Sequence, residues 1–136
     1  MVDSLSPEER SEIMARVRSK NSRPEMAIRK LVFALGYRYR LHAKTLPGCP
    51  DLVFRPRRRV IFVHGCFWHR HPGCALARIP KSRVNFWTTK LEGNHKRDQR
   101  NKRALAREGW KVLTIWECQL KNTVRLEARI RRFLDA

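Results

Sequence analysis

The run Val60-Ile61-Phe62-Val63-His64-Gly65-Cys66-Phe67-Trp68-His69-Arg70-His71-Pro72-Gly73-Cys74 constrains this chain more than any other stretch. Four apolar residues lead straight into three histidines, two cysteines and an aromatic pair. Such a pattern reads as a buried strand that ends in a loop of metal-type ligands. The rest of the chain must wall in the strand and complete the loop.

Charge narrows the function. With 31 Lys and Arg against 12 Asp and Glu, the 136-residue chain carries +19, far more than solubility requires. Residues 1–20 are polar and contain no apolar signal core, and no run is long enough to span a bilayer. The charge therefore points to nucleic acid rather than to a membrane, and to a cytoplasmic, DNA-associated protein. Between Met26 and Leu91 fourteen basic residues accompany a single acid, Asp51. A lone carboxylate on a phosphate-facing surface weakens binding unless it holds a divalent cation that the phosphate also touches. The plainer alternative is a strand-start Asp after Pro50.

The coarse reading is α/β: a mixed central sheet flanked by helices. Ser6-Pro7-Glu8-Glu9 starts a basic helix running to about Lys20, expected to lie on DNA, with one domain over residues 21–136. Ser22-Arg23-Pro24-Glu25 repeats the capping signature, and the helix it opens carries Ala27, Ile28, Leu31, Val32 and Leu35 on one face before Gly36. Strands are expected at 37–41, 51–54, 59–64 and 110–116. Helices are expected from Ser82 to about Leu91, from Asn94 to Glu108 with Gly93 as a break, and from Thr123 to Leu134.

Cys66, His71 and Cys74 lie within nine residues, and Cys118 follows the last strand. If that strand runs parallel to 59–64, its end arrives at the loop, and three thiolates with one imidazole make a closed, structural zinc site. Cys49 is left over. The 51–54 and 59–64 strands, folded with Phe54 opposite Arg59, place Asp51 opposite Phe62. His64 is then a diagonal neighbour of Asp51, about 7–8 Å away at Cα. Asp51 as a Mg2+ ligand, with His64 and His69 to move protons or steady phosphate, is what phosphodiester hydrolysis needs. His69 is the preferred base, and His64 alone is equally a capped strand-end histidine. Glu25 either completes its capping box or reaches the metal through water. Phe67, Trp68 and Trp87 are expected on DNA as stacking or wedge residues, with core packing as the alternative.

The segments Pro50-Asp51, Val60 through His69, Asn85-Phe86-Trp87, Asn94 with Arg97-Asp98, and Gly109-Trp110-Lys111-Val112-Leu113 through Trp116-Glu117-Cys118 resemble the very short patch repair endonucleases. The resemblance runs from roughly Ser19 to the C-terminus. It implies a restriction-endonuclease-like fold and nicking 5′ to the thymine of a T:G mismatch left by deamination of 5-methylcytosine. It further implies Asp51 and the Val63 carbonyl as Mg2+ ligands, His64 and His69 as catalytic, Glu25 near the metal, and zinc on Cys66, His71, Cys74 and Cys118. Phe62 and His64 stand where the wider fold usually has a carboxylate and a lysine. The expected partner is duplex DNA containing a T:G mismatch, met by a monomer, with mismatch-repair proteins as candidate partners. Two other readings compete: a non-enzymatic zinc module that binds DNA, and a restriction-type endonuclease on the same fold.

Overall fold

Strand β3 (Arg59–His64) pairs on both sides. The computed structural model, which describes residues 22–136, has a four-stranded sheet of order β1-β2-β3-β4. The strands are β1 (Arg40–Leu41), β2 (Leu52–Phe54), β3 and β4 (Lys111–Trp116). The helices are α1 (Arg23–Ala34), α2 (Val84–Arg107) and α3 (Thr123–Asp135). The helix expected within residues 1–20 lies outside the described residues. Pairing is antiparallel between β1, β2 and β3 and parallel between β3 and β4, with Phe54 opposite Arg59 and His64 beside Trp116. That mixed sheet with flanking helices is the architecture the sequence suggested.

Alternation along β3 divides the core in two. Ile61 packs with Ile28 and Val32 of α1 and with Leu126, Ile130 and Leu134 of α3. Val60 and Phe62 face the other way, onto Leu105 of α2 and Trp110. Each fully buried side chain of this size contributes about 1.5–3 kcal/mol. On α1 the buried stripe is Glu25, Ile28 and Val32, whereas Ala27 is exposed. On α3 Val124 points to solvent, since Leu126, Ile130 and Leu134 at spacings of four fill the seam.

Two expectations need correction. The strand at 37–41 shortens to Arg40–Leu41. Tyr37 and Tyr39 are instead tied to helices, the first hydroxyl to Asp135 at 2.7 Å and the second donating to the Arg29 carbonyl at 3.2 Å. Gly93 does not break the helix: α2 runs unbroken for 24 residues. A helical glycine costs about 1 kcal/mol, which burial of Trp87, Leu91 and Leu105 on one continuous face outweighs. At the tip of the β2–β3 hairpin, residues 55–58, and at the start of β3 the arginines are engaged by helix ends. Arg57 donates to the Leu134 carbonyl at 2.8 Å, Arg59 to those of Phe133 and Ala136, and Arg58 to that of Glu108 while lying over Trp110. These guanidinium groups satisfy the open carbonyls and the negative pole where α2 and α3 end.

Candidate active site

The tip marks one end of the sheet; the site forms at the other. The antiparallel β2–β3 pair brings the start of β2 beside the end of β3, and the parallel β4 delivers Trp116 there too. Residues separated by 65 positions in sequence therefore meet around His64.

Cys66, His71, Cys74 and Cys118 offer ligand atoms that all lie within 4.8 Å of one another. Backbone bonds fold the loop to do this: His71 N–H reaches the Cys66 carbonyl at 2.9 Å, and Cys66 N–H donates to the Glu117 carboxylate at 3.0 Å. The His71 ring stacks on Trp116 at 4.2 Å. Burial, with Cys118 and Cys74 alongside, pushes the Cys66 thiol up to about 12. Three sulfurs and an imidazole suit a thiophilic divalent ion that stabilises the thiolates. Cys49 is elsewhere, lining the cleft described next.

That cleft, about 430 Å³, is lined by Glu25 of α1, His42, Asp51, Val63 and His64 of β3, Trp68 and His69 of the loop, and Asn94, Asp98 and Asn101 of α2. Asp51 accepts the Val63 N–H at 2.7 Å. Desolvation pushes its carboxyl up to about 7, the Val63 N–H opposes this, and Glu25 adds repulsion. Glu25 is 3% exposed, and its Oε2 takes both Arg29 and, at 2.8 Å, His42 Nε2. The Ser22 hydroxyl still accepts the Glu25 N–H, so the cap forms while the carboxylate turns to the cleft. Glu25, His42 and Asp51 constitute a second group with ligand atoms within 4.8 Å. Two carboxylates this close suit a hard divalent cation.

Opposite them His64 and His69 stack at 3.8 Å, and His69 Nδ1 lies 2.7 Å from Asp98 Oδ2. His64 is 5% exposed, and burial together with the His69 charge lowers its pKa to about 2. It is therefore a neutral ring at working pH. Asn94, Asp98 and Asn101, at spacings of four and three, put one polar ridge of α2 along the cleft. Asn94 also donates to the Trp68 carbonyl at 3.0 Å, tying the loop to that helix.

The family model for the DNA mismatch endonuclease Vsr matches residues 2–75. The chain belongs to the Vsr family. Among relatives, the type II nicking enzyme V.XorIIP of Xanthomonas oryzae pv. oryzae is 56% identical over 99% of this chain and 98% of its own length. V.NmeAIP of Neisseria meningitidis is 40% identical over 98% and 95%, and the DNA mismatch endonuclease Vsr of Escherichia coli is 37% identical over 93% and 80%. As a Vsr-family member the chain is an endodeoxyribonuclease, and DNA is its substrate. Among the described residues no helix is long and apolar enough to cross a membrane.

Sequence reasoning missed Asp98 and His42 as site residues. Asp98 was findable: it is the only acid between Gly93 and Arg107, the same signal that singled out Asp51. His42 carried no such signal, because only strand pairing puts it beside Asp51, where its N–H meets the Asp51 carbonyl at 3.2 Å. Of the three aromatics, Phe67 and Trp68 are half-buried, whereas Trp87 is 9% exposed. Trp87 packs against Phe67 at 5.5 Å and Trp68 at 6.0 Å, so its ring backs theirs rather than standing open to a base.

Proposed function

We propose that the chain is a Mg2+-dependent endonuclease that nicks one strand on the 5′ side of the thymine in a T:G mismatch, the product of 5-methylcytosine deamination. The observation that carries this is the meeting of Asp51, His64, His69 and Asp98 in one cleft whose wall is the loop bearing Phe67 and Trp68. We assign the fold to the restriction-endonuclease-like class on the mixed sheet and the position of Asp51 at the start of β2 beside the end of β3. Residues 21–136 form the nuclease domain on this reading, and residues 1–20 are a DNA-contacting segment.

Asp51 and the Val63 carbonyl would hold Mg2+, with Glu25 near it. The ion would supply charge stabilisation at the scissile phosphate and lower the pKa of water. Asp98 accepts the proton-bearing Nδ1 of His69, which leaves Nε2 free to take a proton from water. His64, neutral and fixed under His69, steadies the phosphate by hydrogen bonding rather than by charge. Cys66, His71, Cys74 and Cys118 would hold zinc, which would keep the loop in shape and take no part in chemistry.

Mismatch choice comes from the aromatic group. A T:G wobble stacks less well than a matched pair, so opening the adjacent step costs less there. Opening costs a few kcal/mol and base–aromatic stacking returns about 1–3 kcal/mol per base; a small mismatch advantage then decides insertion of Phe67 and Trp68, with Trp87 behind them. The relatives named as nicking enzymes favour a cut in one strand over a restriction-type double-strand cut. Nicking assays on T:G, T:A and C:G duplexes, in Mg2+ and in chelator, test this. A nick confined to the thymine strand of T:G and dependent on Mg2+ is expected; equal cutting of matched duplexes would reject the mismatch reading.

A further inference from the structure

We infer that His42 is a direct imidazole ligand when the cleft holds a transition-metal dication such as Co2+, which then sees a carboxylate–imidazole–carboxylate set. This rests on the metal-dependent reading above and adds a residue to it. His42 follows β1, and the pairing of Arg40 with Val53 and Leu41 with Leu52 carries it to Asp51. Its N–H bonds the Asp51 carbonyl, and its backbone sits in the left-handed region at φ 46°. That conformation is uncommon for a residue with a side chain. The pairing thus holds the imidazole beside the two carboxylates.

The spacing suits shared coordination. His42 Nε2 is 2.8 Å from Glu25 Oε2, and an Asp51 oxygen lies within 4.8 Å of both. Ligands on a cation with bonds near 2.1 Å stand about 3 Å apart when adjacent and about 4 Å apart when opposite. Arg29 already lies on the same Glu25 oxygen, so Glu25 does not need His42 for charge balance. An imidazole among carboxylates raises affinity for ions such as Co2+ and Ni2+ much more than for Mg2+. The cleft is thereby able to bind a transition-metal ion as well as Mg2+.

His42→Gln separates ligation from positioning, because the Gln amide still donates to Glu25 but is a poor ligand for Co2+. The full chain, its cysteine cluster first loaded with Zn2+, is titrated calorimetrically with Co2+ and with Mg2+. His42→Gln is expected to lower Co2+ affinity about tenfold or more while leaving Mg2+ affinity within about twofold. Asp51→Asn is expected to weaken both, which locates the ion. In the Co2+-loaded wild-type chain, His42 ring protons are expected to show paramagnetic shifts, a reading that needs no variant. Equal Co2+ affinity with unshifted His42 protons overturns the inference, and so does a parallel loss of both ions, which makes His42 a support for Glu25. Either result leaves Mg2+-dependent nicking by the wild type standing. A wild-type chain that nicks T:G duplexes yet binds neither ion in the cleft overturns the metal reading itself.

Discussion

The imidazoles of His64 and His69 lie face to face, 3.8 Å between centroids and 5° between planes, and only His69 has a carboxylate against it. The pair is therefore unequal. Asp98 holds the His69 ring through Nδ1, whereas a proton on buried His64 is opposed by desolvation and by its neighbour. His69→Ala should lower the nicking rate by roughly 10²–10⁴. Asp98→Asn should lower it as well, with binding of uncleaved T:G duplex little changed. A single-turnover assay beside a binding isotherm distinguishes rate from affinity; an unimpaired Asp98→Asn enzyme would remove Asp98 from the mechanism.

Asp51 carries the clearest pH signature. Its carboxyl rises from 3.8 to about 7 in the folded chain, so the folded state holds a proton that the unfolded state has already released. Ionised Asp51 thus costs the metal-free protein stability, the cost opening above pH 4 and levelling off above about pH 7. In chelator, Asp51→Asn should melt above wild type at pH 8, and the gap should close toward pH 4. Protons also compete with Mg2+, so its affinity should fall about tenfold per unit below pH 7. Thermal melts and Mg2+ titrations across that range check both statements.

The cysteine cluster should hold one zinc per chain. Cys118→Ser should lose zinc and melt lower, because metal binding contributes directly to folding. Cys49→Ser, changed at the cleft rather than the cluster, should keep its zinc. Metal analysis of the two purified variants decides the point, and the reverse pattern would overturn the ligand set.

Trp68 and Trp87 should fail differently. Trp68→Ala should reduce the preference for T:G over T:A more than it reduces affinity, since affinity comes mainly from charge and falls with salt. Trp87→Ala removes a buried ring and should cost about 3–5 kcal/mol of stability. Denaturant melts paired with nicking on both duplexes at fixed salt separate the effects. Full discrimination in Trp68→Ala would move the choice to polar contacts with the wobble bases.

Arg59 should matter for folding rather than for DNA. Its bonds to the Phe133 and Ala136 carbonyls close the end of α3, so Arg59→Ala should lower the melting temperature. The salt dependence of DNA affinity should stay as in wild type, because no phosphate contact is lost. A shallower salt slope would place Arg59 on the DNA-binding surface.

Local pattern alone determined the strand at 59–64, its hairpin register and the helix capped by Ser22. In each, periodicity and turn chemistry act over a few residues and admit one folding. The cysteine and histidine spacing within the loop was legible for the same reason, whereas Cys118 depended on a parallel last strand that only the structure supplied. Tertiary structure decided what local pattern leaves open. It carried α2 through Gly93, because a long buried face outweighs one glycine's entropy. It spent three tip arginines on helix ends, since charge in a sequence does not say which surface it meets. It also set Asp98 against His69, 29 residues away, and His42 against Glu25, 17 residues away. Those pairs depend on how a helix and a loop dock against the sheet, and no short-range rule in the chain encodes that docking.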